Sequence, residues 1–293
     1  MDKVYKFYTE DLAVRASFVN STAICQEVAR RQGTDPLATI ALGRLLTGTI
    51  LMASQLWENQ SLSIRMEGNG PLGHLYAECS FEGKARCYVT NPQIAAGSLP
   101  PEKLNLKSAI GEGILVVSRN LPFQKQPQTG IVPIVSGEIS QDLAFYLQQS
   151  HQIPSVVSLT VTLNEQGEIK LAGGVLLELI PGAPDSVVSI LEQRARETVP
   201  LSRQLLEQAS PETIVQGYVH QSRLKSVDYS HAIKFTCRCT QERVEKTLSL
   251  MGKATLSEMI LKGEDVKAKC EFCGQHYSVG VPRLREILHS KED

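Results

Sequence analysis

Four cysteines crowd toward the end of the sequence in two short pairs. Phe235-Thr236-Cys237-Arg238-Cys239 holds a Cys-x-Cys pair, and Cys270-Glu271-Phe272-Cys273-Gly274 holds a Cys-x-x-Cys pair. Four sulfurs so arranged can close a tetrahedral site, which suits zinc or an iron-sulfur centre better than a hard cation. Gly274 after Cys273 suits a tight turn that lets backbone amides face the sulfurs. Most four-cysteine sites are structural, yet Cys-x-Cys is tighter than the Cys-x-x-Cys of ordinary zinc ribbons. Spacing alone leaves a structural staple and a reactive site both open.

The same sulfurs can act as a switch. A bound metal holds them as thiolates, the reactive form, and a binding free energy of roughly 10–16 kcal/mol at neutral pH is also folding free energy for a small unit. An oxidant converting the near-neighbour pairs into Cys237–Cys239 and Cys270–Cys273 disulfides would expel the metal, because disulfide sulfur is a poor ligand. A bridge across a single intervening residue constrains the backbone and reduces more easily than a relaxed one, as reversibility requires.

The other three cysteines, Cys25, Cys79 and Cys87, are scattered, and the total of seven is odd. That is not a secreted disulfide framework. The charged start Met1-Asp2-Lys3 lacks a signal-peptide apolar core, so the expected home is a reducing cytosol. Cys25 falls on an expected helix without a cationic neighbour in sequence and reads as buried and inert. His276, three residues beyond Cys273, reads as a surface side chain, since four cysteines already complete a site.

The elements that must position these cysteines follow from pattern. Leu62, Ile64 and Met66 alternate with polar residues, as in a strand with one wet face. A turn near Phe81-Glu82-Gly83-Lys84 separates strands expected at 74–79 and 85–89. Further strands are expected at 114–117, 156–163 and 168–179, the last two joined by the Asn164-Glu165-Gln166-Gly167 turn. Helices are expected at about 22–32, 35–57 and 140–150, the last opening at Ser140 with Leu143, Ala144 and Leu147 on one face. Leu37 to Leu56 carries one charge, Arg44, and approaches the length of a membrane span. Its Gly, Thr, Ser and Gln interruptions and the Thr34-Asp35-Pro36 capping signal mark it instead as a buried helix.

Beyond Pro181-Gly182-Ala183-Pro184 the texture turns to short amphipathic helices broken by Pro200 and Pro211, which need tertiary partners to persist. Asp185 is a candidate cap for a helix with a Val187, Ile190 and Leu191 stripe, and Ser210-Pro211 is a second cap signal. The expected organisation is α+β: an N-terminal mixed sheet-and-helix body at 1–180, a short helical linker at 181–229, and a small four-cysteine zinc domain at 230–293. So short a unit buries too little apolar surface alone and commonly needs a metal or a bridge.

Competing functions find little support. Formal net charge is −1, and residues 231–293 hold eleven Lys/Arg against nine Asp/Glu, which disfavours a nucleic-acid module or an anionic membrane surface. Gly68-Asn69-Gly70-Pro71-Leu72-Gly73 imitates a dinucleotide fingerprint, but a strand rather than a helix is expected after it. Met251-Gly252-Lys253-Ala254-Thr255 lacks the upstream glycine of a phosphate loop. A catalytic thiol-disulfide oxidoreductase would place Cys270-x-x-Cys273 at a helix start beside a βαβ sheet, not in a short C-terminal unit.

Phe235-Thr236-Cys237-Arg238-Cys239-Thr240-Gln241-Glu242-Arg243, followed by Cys270-Glu271-Phe272-Cys273-Gly274-Gln275-His276-Tyr277, resembles the redox-regulated thirty-three-kilodalton heat-shock chaperonin family, which comprises ATP-independent holdases. The resemblance runs through nearly the whole chain, by way of Gly70-Pro71-Leu72-Gly73, Arg86-Cys87-Tyr88-Val89 with Asn91-Pro92, Ser136-Gly137-Glu138-Ile139 and Ala172-Gly173-Gly174. It implies a non-enzymatic cytoplasmic stress chaperone with one zinc ion on Cys237, Cys239, Cys270 and Cys273 in the reduced, inactive state. It further implies that oxidation releases zinc, unfolds the C-terminal unit and loosens the linker, so that exposed apolar surface holds unfolding proteins and subunits pair as homodimers. No nucleic-acid or membrane partner is implied. Two departures stand out: Cys87 where the family usually has glycine, adding a thiol open to oxidation, and His151 where an acidic residue is common.

Overall fold

The apolar run after Asp35 folds as one long helix, α2 (Pro36–Ala53), in the computed structural model, which describes residues 2–94, 100, 104–184, 186–220, 222–228 and 231–290. Pro36 sits in the first turn, where no amide bond is forfeited, and one Asp35 carboxylate oxygen accepts from the Ala38 N–H at 2.8 Å. The other oxygen accepts from the Ile94 N–H at 2.6 Å, pinning a distant loop to the same cap. By length and composition α2 could cross a membrane, with mean hydropathy 1.5, but 78% of it is buried inside the protein. It is apolar all round because it is covered all round.

Before α2 come β1 (Lys3–Thr9), β2 (Val14–Asn20) and α1 (Thr22–Gln32). After it come β3 (Ser61–Gly68), β4 (His74–Ser80), β5 (Lys84–Val89), α3 (Leu106–Ile110), β6 (Gly113–Asn120) and β7 (Gln128–Pro133). Then α4 (Ile139–Tyr146) runs into a π turn at Leu147–His151, followed by the β8 (Ser155–Leu163) and β9 (Ile169–Leu179) hairpin. Three short helices follow, α5 (Ser186–Glu197), α6 (Leu201–Leu206) and α7 (Pro211–Val219), and then two short strands, β10 (Leu224–Val227) and β11 (Lys234–Phe235).

Among the described residues, β1 to β11 form two sheets. One has the order β10-β1-β2-β9-β8, antiparallel throughout. The other has the order β11-β5-β4-β3-β6-β7, antiparallel except for the parallel β11–β5 pair. Helix α2 packs on β3, β4 and β5 of the second sheet and on β8 and β9 of the first, and its Leu42, Leu45, Leu46 and Ile50 fill the main core with Ile64, Met66 and Leu75. The α+β class is therefore realised as two sheets around one helix.

The opposite face of the first sheet carries a second core. Phe7, Phe18, Val175 and Leu177 meet Val187 and Leu191 of α5, Leu201 of α6, and Ile214, Val215 and Tyr218 of α7. Short helices that could not persist alone thus share one apolar floor. Ser210 caps α7 as its sequence predicts, its side chain accepting from the Thr213 N–H at 3.1 Å. The expected stripe on α5 is narrower than Val187, Ile190 and Leu191, since Ile190 is exposed and Val187 and Leu191 alone are buried. Asp185 lies outside the described residues.

Helix α4 likewise starts one residue earlier than Ser140, with Glu138 at the cap position. Ile139, Leu143, Tyr146 and Leu147 form its buried face, and Ala144 is half-buried. The glycine-rich tract Gly68 to Gly73 is the turn between β3 and β4. A side chain on Gly68 would run into the Ile110 carbonyl, and one on Gly70 into the Ala109 carbonyl. These glycines serve backbone approach by α3 rather than a phosphate.

Contacts divide the chain into two compact units, Met1–Thr236 and Cys237–Asp293. The second unit contains α8 (Gln241–Ser249), α9 (Lys253–Lys262), the antiparallel hairpin of β12 (Val266–Lys269) and β13 (His276–Val279), and α10 (Val281–His289). Among the described residues its buried core is five, Leu248, Leu256, Val279, Leu284 and Ile287. A core of that size is marginal for an independent unit.

Candidate metal centre

The β12–β13 hairpin presents Cys270 and Cys273 in its turn. The ladder ends at the Lys269–His276 pair, after which the Cys270 N–H donates to the Gln275 carbonyl at 2.9 Å and the Gly274 N–H to the Cys270 carbonyl at 2.8 Å. Gly274 adopts φ +74°, a left-handed conformation that glycine takes without strain. The loop so formed turns amides inward: Phe272 and Cys273 donate N–H bonds to the Cys270 sulfur, and Gln275 donates one to the Cys273 sulfur. This is the amide-lined turn expected from the glycine after Cys273.

Cys237 and Cys239 lie just before α8, whose cap is Thr240, accepting from the Arg243 N–H at 3.3 Å. The Arg243 guanidinium reaches back to the Arg238 carbonyl at 2.9 Å and fixes the intervening residue of the Cys-x-Cys pair. The two pairs meet. Sγ of Cys237 lies 3.3 Å from that of Cys239 and 3.6 Å from that of Cys270, and Cys239 and Cys273 are 3.3 Å apart. All four sulfurs fall within 4.8 Å of one another, and the residues are half-buried. A tetrahedron with metal–sulfur bonds of ~2.3 Å has edges of ~3.8 Å, so the cluster has the dimensions of a single-ion thiolate site. Among the described residues it is the one group of side chains so disposed for a metal.

The electrostatics of the metal-free cluster are uneven. Burial pushes the Cys239 thiol up, but hydrogen bonds from Tyr277, Cys273, Cys237 and Cys270 together outweigh it and bring the group down to about 7. Burial raises Cys270, and it pushes Cys273 up to about 12 with help from the neighbouring sulfurs. Four adjacent thiols cannot all give up their protons unless a cation offsets the charge. The donor set therefore fits a divalent, sulfur-preferring ion, which on binding displaces the remaining protons.

One contributor escaped the sequence reading. Tyr277, on β13, donates its hydroxyl to Sγ of Cys239 at 3.0 Å. Its place four residues after Cys273, in a strand returning from the turn, was the available signal. His276, beside it, is exposed.

The remaining cysteines sit elsewhere, in the body. Cys25, Cys79 and Cys87 are buried, and burial pushes the Cys25 and Cys79 thiols up to about 12 and that of Cys87 well above the ordinary range. Cys25 is inert for that reason, and the extra thiol at Cys87 is shielded in the folded body.

Residues 2–280 match the family model described as Hsp33 protein. A 33 kDa chaperonin of Shouchella clausii is 35% identical over 292 residues, covering 99% of this chain and 98% of that one. One from Desulforamulus reducens is 35% identical over 292 residues, covering 100% and 99%. The crystal structure of a 33 kDa chaperonin from Thermotoga maritima superposes with a TM-score of 0.87 at 30% identity, covering 99% of both chains. The chain belongs to the Hsp33 family, a class of chaperones that bind unfolded proteins and are not enzymes.

Proposed function

We propose that this chaperone is a redox-regulated, ATP-independent holdase, held inactive by one zinc ion on Cys237, Cys239, Cys270 and Cys273 and activated when those cysteines are oxidised. The observation that carries the reading is the closure of the four sulfurs to within 4.8 Å in a unit whose own apolar core is five residues. The spacing leaves room for one ion and not for a multi-iron cluster, which favours zinc.

In the reduced state the metal would hold the sulfurs as thiolates while the inward amides of Phe272, Cys273 and Gln275 and the Tyr277 hydroxyl share their charge. Oxidation forms Cys237–Cys239 and Cys270–Cys273 disulfides. Four thiolates, two peroxide molecules and four protons give two disulfides and four waters, and the cation leaves. Without it the second unit lacks the folding energy that binding supplied. The division of labour is then a client-binding and dimerising body at 1–180, a linker at 181–229 and a switch at 230–293. Oxidised subunits pair as homodimers in the cytoplasm and hold unfolding proteins during oxidative stress. Nucleic acid and membranes are not partners.

The test is to follow zinc release and suppression of a model client's aggregation on one full-length sample, before and after peroxide at a mildly denaturing temperature. Zinc loss with a gain of holding activity that a dithiol reductant reverses is the expected result. Retained zinc with unchanged activity would reduce the site to a structural staple.

A further inference from the structure

After α7 the chain runs along the margins of the first unit as a series of short strands. Residues of β10 pair antiparallel with β1, Leu224 opposite Thr9, Lys225 opposite Tyr8, Ser226 opposite Phe7 and Val227 opposite Lys6. Ala232 then bridges to Lys3, and the Ile233 N–H donates to the Asp2 carbonyl at 2.8 Å. Lys234 and Phe235 pair in parallel with Lys84 and Ala85 on the margin of the second sheet. Gly83 permits the close pass, since a Cβ there would stand 2.6 Å from the Ala232 carbonyl oxygen. Without this stretch β1 would be the outermost strand of its sheet, with a row of unmet N–H and C=O groups.

The resident strand shows what that edge accepts. Leu224, half-buried, packs against the second core. Lys225 points the other way, in an ion pair with Glu10 and with its ammonium 5.7 Å from the Tyr8 ring centre. Ser226 and Val227 are exposed. Four residues with one apolar anchor are held mainly through the main chain, which places β10 among the elements least costly to displace. The strand at the far edge of the same sheet differs, because β8 runs nine residues and packs against α4, α5 and α6.

We propose that the β1 edge, once β10 leaves it, is a binding site for unfolding clients, which add an extended segment antiparallel to Lys6–Thr9. The segment places an apolar side chain where Leu224 packs and takes a basic one most readily where Lys225 meets Glu10 and Tyr8. Pairing of this kind draws its affinity from backbone bonds that every polypeptide offers, so it tolerates clients that have in common only an exposed extended chain. The inference rests on the holdase reading above and adds to it where and in what geometry a client is held.

Hydrogen exchange of the β1 amides that face β10 tests it, in full-length protein that is reduced and zinc-loaded, peroxide-treated, or peroxide-treated and mixed with an unfolding model client. Aggregation suppression is measured on the same samples. Oxidation is expected to speed exchange at these amides at least about tenfold, and bound client to restore protection while β10 stays exposed. A synthetic peptide of residues 223–228 should bind only the oxidised protein and displace client, and its Val227→Pro version, which loses the N–H that faces Lys6, should do neither.

Holding activity with β1 still unprotected would overturn this site and leave the holdase reading standing. Protection that returns without client as protein concentration rises would assign the edge to a second copy instead. Protection that never falls on oxidation would show that β10 does not leave. An oxidised protein that holds no client would remove both readings together.

Discussion

The Tyr277 hydroxyl and the Cys239 sulfur are hydrogen-bonded at 3.0 Å across the β12–β13 hairpin and the segment before α8. The bond joins the two cysteine pairs through a residue that is not itself a metal ligand. Partners of this kind commonly alter metal affinity by about 10–100-fold. Tyr277→Phe should therefore weaken zinc binding roughly tenfold in competition with a chromophoric chelator, with helix content unchanged. Unaltered zinc affinity would mean that the bond contributes nothing to the site.

Protons compete with the metal for the sulfurs. In the moments after chelation, while the reduced, metal-free unit is still folded, Cys239, brought down to about 7, should be alkylated first as pH rises, and Cys273, pushed up to about 12, last. Zinc binding near neutral pH should release protons, in greater number below pH ~7 than above it, because more thiols are then still protonated. Calorimetry in buffers of different ionisation enthalpy measures that number. Release independent of pH would contradict this order of titration.

Removing the metal should unfold the second unit while the first persists. The second has five buried core residues, whereas the first has two cores built on two sheets. With a strong chelator under reducing conditions, limited proteolysis should cut within 237–290 and spare the body. Cleavage spread evenly along the chain would show that the units do not unfold separately.

Thiol accessibility should follow the same division. Alkylation near pH 7 of reduced, metal-free protein whose second unit has unfolded and whose body has not should label Cys237, Cys239, Cys270 and Cys273, and Cys25, Cys79 and Cys87 should require denaturant. Labelling of Cys87 in native protein would mean that the body opens enough to make it a second oxidisable site.

Gly68 packs directly on the Ile110 carbonyl, so Gly68→Ala forces two backbone segments apart rather than nudging a side chain. The expected loss is about 2–4 kcal/mol of body stability in denaturant unfolding, with zinc affinity unchanged. A loss below about 0.5 kcal/mol would show that α3 moves aside freely.

The site was legible because cysteine pairs are a local signal: Cys237-x-Cys239 and Cys270-x-x-Cys273 name themselves whatever the surrounding fold. Strands with one wet face, such as β3, and helices with side-chain caps, such as Asp35 before α2, were equally local. What sequence hid was non-local. Strand β2 shows no alternation because Ala16, Ser17, Phe18 and Val19 are buried in succession between the two cores. Gly130 and Pro133 obscure β7, which lies at a sheet edge where both are tolerated. Strands β10 and β11 are too short to carry a period and exist only because distant strands offer them an edge. Tyr277 belonged to the recognised motif, but its role depends on a contact across 38 residues of sequence.

The core between α5–α7 and the first sheet has a thermal consequence. Any process that lifts those helices wets Phe7, Phe18, Val175 and Leu177 together with Val187, Leu191, Ile214 and Tyr218. Wetting apolar surface raises the heat capacity, so the free energy of keeping the helices in place is a curved function of temperature that falls away on warming past its maximum. The layer of α5–α7 is thereby a thermometer, its hold on the sheet weakening as the temperature rises past that maximum.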